Sequence, residues 1–248
     1  MALTRPDDRA HEWALRLEDQ DAIVELYPLI RTEPPRSFEA LDAALRALRR
    51  FDWVLFTSVN GVTHALARAS AKPAGDPRRP QVAAIGPATA RALEDRGWPV
   101  DLVPAASSAE GLAAALLAGG VRGRRLLLVR AESGRDVLPD LLRACGADVA
   151  IAPAYRTVPD AGSARALAAR LQEVALDAVV FASPSAVRAL AGEGGSAPLT
   201  WPDGCRLVCI GEPTAEAARA AGWPVAATLA EPTIEDLGAA LAALRAPR

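Results

Sequence analysis

The sequence predicts an α/β protein made of two flavodoxin-like, doubly wound parallel-sheet domains that arose by internal duplication. Three observations predict this fold class. The chain of 248 residues repeats itself at a fixed spacing, and short apolar runs alternate with helical patterns. Hydrophobic residues make up 51% of the chain, which is enough for a buried core in each copy.

A single ungapped shift relates the two halves of the chain. The segment D-W-V-L-F-T-S at 52–58 resembles D-A-V-V-F-A-S at 177–183, which lies 125 positions further along (177 − 52). The same shift relates I-G-P-A-T-A at 85–90 to I-G-E-P-T-A at 210–215, and G-W-P-V at 97–100 to G-W-P-V at 222–225. Duplication of a unit of ordinary domain size explains this regularity.

Short apolar runs are expected to form buried parallel strands. They span residues 52–57, 82–85, 100–103, 125–129, 149–153, 178–181 and 207–210. Between them lie Ala- and Leu-rich stretches with helical spacing, such as Ala40, Leu41, Ala44, Leu45 and Leu48. This alternation predicts helices on both faces of parallel sheets, and five strands per copy favour the flavodoxin-like strand order.

Composition and charge narrow the class of protein. The formal net charge is −2 without a block of like charge, so a nucleic-acid partner is not expected. No apolar run is long enough for a membrane helix, the first residues lack a signal-peptide core, and three scattered cysteines do not make a disulfide framework. We therefore expect a cytoplasmic protein without membrane contact.

Metal and nucleotide sites are not indicated by the sequence. The two histidines are isolated, without Cys or carboxylate residues at metal-ligand spacing. Neither a phosphate loop nor the dinucleotide fingerprint G-x-G-x-x-G is present. The residues therefore indicate neither a metal site nor a nucleotide cofactor.

The candidate binding residues follow the predicted strands, where doubly wound sheets bind their ligands. Small and polar residues there can leave helix N–H groups open to an anionic ligand, or can cap those helices themselves, and both roles remain open. The candidates are Ser58, Asn60, Gly86, Thr89, Ser107, Ser183, Ser185, Gly211 and Thr214. If the two copies face each other, several helix N-termini would point into one cleft and suit a large, multiply anionic ligand.

Two arginines and one tyrosine add charge and acid chemistry. Arg5 and Arg130 end equivalent first strands, where each can pair with a ligand carboxylate or with a neighbouring side chain. Tyr155 lies in a proline-bounded crossover between the copies, and its equivalent in the first copy is Ile30. A phenol there can donate a proton in a water-poor site or can pack as a hinge aromatic, and the sequence leaves both roles open.

Five motifs follow one another along the chain. They are T-S-x-N-G-V at 57–62, I-G-x-x-T-A at 85–90, G-R-x-x-L at 134–138 followed by G-A at 146–147, Y-R-T at 155–157 and F-x-S-P-S-A-V at 181–187. Together they resemble the uroporphyrinogen-III synthase family over essentially the whole chain. The resemblance implies domains at 1–30 plus 160–248 and at 36–152, with linker strands at 31–35 and 153–159.

The resemblance also implies a reaction and a set of roles. The family's substrate is hydroxymethylbilane, a linear tetrapyrrole with eight carboxylates, and the enzyme is a cyclizing lyase without a cofactor. The ring A hydroxyl leaves, ring D attacks through its substituted carbon, and a spiro intermediate reopens and closes with ring D inverted. By this analogy Tyr155 assists hydroxyl loss, and Thr89 and Thr214 bind carboxylates or the leaving group. The serines and Asn60 would place donors around the substrate's acidic side chains. We expect a monomer, with hydroxymethylbilane synthase as a candidate transient partner.

Two other classes of function remain open. A two-domain tetrapyrrole or anion-binding sensor could share this fold without catalysis, because fold does not dictate function. An α/β enzyme acting on phosphorylated substrates is the other, and the lack of a phosphate loop counts against it.

Overall fold

The chain forms two compact units. The computed structural model describes residues 1–6, 9–69, 78–173, 176–192 and 199–245. Unit 1 contains Met1–Arg31 and Val158–Arg248, and unit 2 contains Thr32–Thr157. Within the described ranges, no helix is long and apolar enough to pass through a membrane.

Strands and helices alternate along most of the chain. The strands are β1 (Ala2–Leu3), β2 (Glu25–Leu26), β3 (Ile30–Glu33), β4 (Trp53–Phe56), β5 (Gln81–Ala84), β6 (Arg125–Ala131), β7 (Asp148–Pro159), β8 (Ala178–Phe181), β9 (Arg206–Cys209) and β10 (Val225–Thr228). The helices are α1 (Arg9–Glu18), α2 (Glu39–Arg46), α3 (Val59–Leu66), α4 (Pro87–Glu94), α5 (Ala109–Ala118), α6 (Val137–Ala144), α7 (Ala161–Glu173), α8 (Pro184–Ala191), α9 (Glu212–Ala220) and α10 (Ile234–Arg245). A 3₁₀ turn at Leu48–Arg50 follows α2.

The sheet of unit 1 is parallel and has the order β10-β9-β8-β1-β2. If the five strands of unit 1 are renumbered from 1 to 5 in chain order, their order across the sheet, counted from β2, is 2-1-3-4-5. This is the flavodoxin-like order. The predicted fold class is therefore confirmed. β1 and β2 come from the first sequence copy, whereas β8, β9 and β10 come from the second, so this sheet is assembled from both copies.

The sheet of unit 2 has the order β3-β7-β6-β4-β5. The four strands from β7 to β5 are parallel and repeat the arrangement of unit 1. β3 is an added edge strand that runs antiparallel to β7. Two contacts give this direction. Asp160 N donates to Leu29 O at 2.8 Å just before β3, and Arg156 pairs with Glu33 at the end of β3, so residue numbers rise along β3 while they fall along β7.

The predicted strand at 100–103 was wrong. Only Leu102 forms an isolated bridge, to Ala83, whereas the equivalent segment of the second copy forms β10. The Asp101 carboxylate explains the difference, because it accepts the Val82 N–H at 2.7 Å. A side chain thus takes a backbone donor that a strand partner would use. The equivalent residue of the second copy is Ala226, which cannot compete in this way.

The strand predicted at 149–153 is longer than expected. β7 continues through the second proline-bounded segment to Pro159. Its pairing with β6 shifts register at Pro153, which has no N–H to donate: Arg130 lies opposite Pro153, but Ala131 lies opposite Tyr155. The extra residue forms a bulge, and bulges re-aim the side chains that follow them.

The two cores use equivalent aromatic contacts. Phe56 meets Trp98 in unit 2 with ring centroids 6.0 Å apart, and Phe181 meets Trp223 in unit 1 at 5.8 Å. All four side chains are buried. Both tryptophans are therefore packing residues of the two cores.

Candidate active site

Two of the predicted site serines cap helices that begin at the carboxyl ends of strands. Ser58 Oγ accepts the Gly61 N–H at 3.0 Å at the start of α3. Ser183 Oγ accepts the Ala186 N–H at 3.2 Å at the start of α8. The capping role that the sequence left open is therefore real for both, and it uses one N–H group of each helix terminus.

Ser58 has a second partner, Tyr155. The two hydroxyl oxygens are 3.0 Å apart although the residues are 97 positions apart in the chain. The Tyr155 side chain is buried, with 8% of the residue exposed. Burial raises the phenol pKa, and the bond to Ser58 opposes part of that rise. The structure thus joins two predicted site residues in one hydrogen-bonded pair.

The cap geometry gives the Ser58–Tyr155 bond a preferred direction. Ser58 Oγ already accepts the Gly61 N–H, so its own proton can point to the phenol oxygen. In that arrangement the phenol proton is free to go to another acceptor. The positive end of the α3 dipole lies at the same serine and favours negative charge on the phenol oxygen.

His64 completes the group, although sequence reasoning dismissed it as isolated. Its ring stacks on Tyr155 with centroids 5.7 Å apart and planes 15° apart. His64 Nε2 lies 3.5 Å from Thr32 Oγ1. A sequence signal existed, since the duplicated positions of His64 and Tyr155 are Ala189 and Ile30. Both members of the pair diverge between the copies.

The two predicted glycines begin helices without a side-chain cap. Gly86 precedes α4 and Gly211 precedes α9, so the first N–H groups of these helices are not used by a cap side chain. A Cβ at position 86 would lie 2.6 Å from Ser107 Oγ, which places this serine beside the start of α4. Ser107 is exposed, and its neighbour Ser108 caps α5 instead.

The threonines of the same helices are largely buried. Thr89 and Thr214 lie in the first turns of α4 and α9 and are only 4% and 3% exposed. Asn60 is exposed, whereas Ser185 is half-buried and its Oγ accepts from Arg188 at 3.3 Å. Of these four, Asn60 presents the most surface to a ligand.

The two predicted arginines are already held by neighbouring groups. Arg130 donates to Asp136 at 2.7 Å and to the Arg135 carbonyl at 2.9 Å. Its guanidinium therefore closes the loop after β6, which is the ion-pair alternative that the sequence left open. Arg5 is 7% exposed and lies over the Trp13 ring at 4.7 Å, a cation–π contact.

The described residues contain no group of three or more His, Cys, Asp or Glu side chains that could hold a metal ion. Cys145, Cys205 and Cys209 are all free thiols. Burial raises the pKa of the Cys205 thiol to about 11 and that of the Cys209 thiol to about 12, so neither is a ready nucleophile. The two hydroxyl groups of the Ser58–Tyr155 pair can each donate and accept hydrogen bonds, and the phenol can donate a proton.

Comparisons with known proteins agree with one another. The family model described as uroporphyrinogen-III synthase HemD matches residues 11–239. A protein of Methanothermobacter thermautotrophicus is 37% identical over 77% of this chain and 76% of its own length. The uroporphyrinogen-III synthase of Synechococcus elongatus is 32% identical over 75% of this chain and 70% of its own length.

A solved structure supports the fold. The uroporphyrinogen III synthase of Thermus thermophilus, determined as a triple mutant, superimposes with a TM-score of 0.66 and covers 98% of each chain. Its sequence identity is 21%, so this likeness concerns the fold alone.

Proposed function

This chain belongs to the uroporphyrinogen-III synthase family, and we propose that it closes hydroxymethylbilane to uroporphyrinogen III with Tyr155 as the proton donor. Its reaction is that of a cyclizing lyase in tetrapyrrole biosynthesis. The observation that carries the proposed role is the buried Tyr155 phenol, held 3.0 Å from the Ser58 hydroxyl at the N-terminus of α3.

The first step of the proposed mechanism needs an acid. Tyr155 donates its proton to the ring A hydroxyl, water leaves, and a cationic azafulvene remains. The phenolate oxygen that forms can accept the Ser58 proton in a hydrogen bond, and the helix dipole stabilises its charge. A proton lost from the closing macrocycle returns to the phenolate, so the net change is loss of one water.

The choice of isomer depends on geometry. Without the enzyme the bilane closes to the symmetric type I isomer, so the protein must hold rings A and D where the substituted carbon of ring D attacks. We propose that the uncapped starts of α4 at Gly86 and α9 at Gly211 bind substrate carboxylates through their N–H groups. Asn60 and Ser107 are exposed enough to add side-chain donors.

We propose roles for four other residues from what their side chains contact. Thr89 and Thr214 are buried, so their proposed help to carboxylate binding consists of shaping the first turns of α4 and α9. Arg130 stabilises the loop after β6 through its bonds to Arg135 and Asp136, and Arg5 contributes local positive charge. We further propose that the enzyme works as a monomer in the cytoplasm and receives the unstable bilane from hydroxymethylbilane synthase.

An isomer assay with matched variants tests the proposal. Purified protein receives fresh hydroxymethylbilane, and the oxidised products are separated into types I and III. The parent protein should give mainly type III, and Tyr155→Phe should lower kcat about a hundredfold with the fold intact. Tyr27→Phe is the control, because Tyr27 is the other tyrosine and donates to Glu25 in unit 1.

Two results would contradict the proposal. Unchanged kinetics in Tyr155→Phe would remove this phenol from the mechanism while leaving the synthase activity in place. Type I product at the spontaneous rate from the folded parent protein would favour the non-catalytic tetrapyrrole-binding alternative instead.

A further inference from the structure

The stacked contact between His64 and Tyr155 has no role in the proton transfer proposed for Tyr155. The rings are nearly parallel, and His64 projects from α3, the helix whose N-terminal cap bonds the phenol oxygen. Tyr155 is therefore held at two points by one helix, at its oxygen by Ser58 and on its ring by His64. The imidazole also lies beside Thr32 of β3.

Unit 1 shows that the fold does not require this pair. The duplicated positions carry Ile30 and Ala189, and both side chains pack against the apolar core of unit 1. The capping serine is nevertheless kept there, since Ser183 caps α8 as Ser58 caps α3. The helix and its cap thus form in unit 1 without an imidazole or a phenol, and the aromatic pair is particular to unit 2.

We infer that His64 is a positioning residue that fixes the Tyr155 ring so that its hydroxyl stays at Ser58 and in line with the substrate. This inference rests on the proposed role of Tyr155 as proton donor. A tyrosine side chain can turn about two bonds, and the Ser58 contact fixes only its far end. The ring also packs within the hydrophobic core of unit 2, and stacking of His64 on its face restricts it further. Proton transfer is sensitive to such small displacements.

The kinetic test uses three substitutions at one position. His64→Ala should lower kcat about two- to tenfold with KM unchanged, which is the rate effect of one lost aromatic contact. His64→Phe keeps a ring and should restore kcat to near the parent value. His64→Gln keeps a polar N–H group near Thr32 without a ring and should stay as slow as His64→Ala. His11→Ala, which removes the other imidazole from the exposed face of α1, is the control.

A second measurement reports ring position without activity. In a Tyr27→Phe background Tyr155 is the remaining tyrosine, so isotope-labelled tyrosine gives NMR signals from its ring alone. His64→Ala should move these signals towards those of free tyrosine, and His64→Phe should keep them shifted. Unchanged signals in His64→Ala would overturn the stacking role.

The outcomes separate this inference from the function on which it rests. Full turnover in Tyr155→Phe would overturn the role of Tyr155 as donor. Turnover lost in Tyr155→Phe but kept in His64→Ala would overturn only the positioning role. Restoration by His64→Gln rather than His64→Phe would also overturn it, because the contact to Thr32 would then be the one that matters.

Discussion

Alanine substitution of the two capping serines should destabilise the protein by different amounts. Ser58 and Ser183 make equivalent cap bonds, but only Ser58 also bonds a phenol. Loss of a cap costs about 1 kcal/mol, which is the whole expected effect of Ser183→Ala. Ser58→Ala additionally leaves the buried Tyr155 hydroxyl without this partner, which costs roughly another 1 kcal/mol. We therefore expect about 2 kcal/mol for Ser58→Ala.

A double-mutant cycle isolates the hydrogen bond. In a Tyr155→Phe background, Ser58→Ala removes only the cap, so its cost should fall to about 1 kcal/mol. The coupling energy between the two positions should then be about 1 kcal/mol. Phenylalanine keeps the buried ring and its contact with His64, so the substitution leaves the packing in place.

Urea unfolding of the parent, the three single variants and the double variant gives the free energies. Hydrogen exchange then localises each effect, because Ser58→Ala should speed exchange in α3 and Ser183→Ala in α8. A coupling energy near zero, or equal losses for the two serines, would refute the reasoning. It would mean that the contact between Ser58 and Tyr155 contributes nothing beyond the cap.

Three further predictions concern close packing, thiols and acid stability. Gly86→Ala and Gly211→Ala both place alanine at a helix N-cap, where glycine is preferred. In thermal unfolding, Gly86→Ala should cost about 1 kcal/mol more than Gly211→Ala, because its Cβ would clash with Ser107 whereas the nearest neighbour at position 211 is 3.9 Å away. Cys145 should be the thiol that an aromatic disulfide reagent titrates in the native protein, and unfolding should release the other two; fast native labelling of a second thiol would contradict their burial. The hydrogen bonds from Arg170 lower the pKa of the Glu25 carboxyl below its ordinary value of 4.5. The stabilisation they give is therefore fully present above pH 4.5, and it is lost as the pH falls through the lowered pKa of the folded state. Arg170→Ala should therefore flatten the acid limb of stability against pH, and an unchanged limb would show that the pair contributes nothing.

Much of the fold could be predicted from the sequence because its signals are local. An apolar run between turn residues forms a buried strand wherever it occurs, and β8 has the bounds that its run predicted. The duplication predicted the same alternation of strands and helices in both halves, and five strands per copy favoured the flavodoxin-like strand order. It also drew attention to Tyr155, because a phenol stands where the other copy has Ile30.

Competition for hydrogen bonds could not be predicted from those patterns. Asp101 takes the Val82 N–H and prevents a strand that the apolar run favours, and Asp136 occupies the guanidinium of Arg130. A free carboxylate and a bonded one have the same letter in a sequence. Which donor each carboxylate meets is decided only when distant segments pack together.

The sequence by itself determined the repeat, the class of fold, the family motifs and most of the candidate residues. Only the tertiary structure decided how these residues act. Ser58 and Tyr155 become partners across 97 positions because β7 continues past the carboxyl ends of β4 and β6. Tyr155 lies opposite Ala131, the last residue of β6, at the edge of the sheet where α3 begins. His64 joins them because α3 starts at that edge, and the second turn of the helix places the imidazole against the face of the Tyr155 ring. Periodicity along the chain encodes which elements form, whereas contacts between elements exist only in three dimensions.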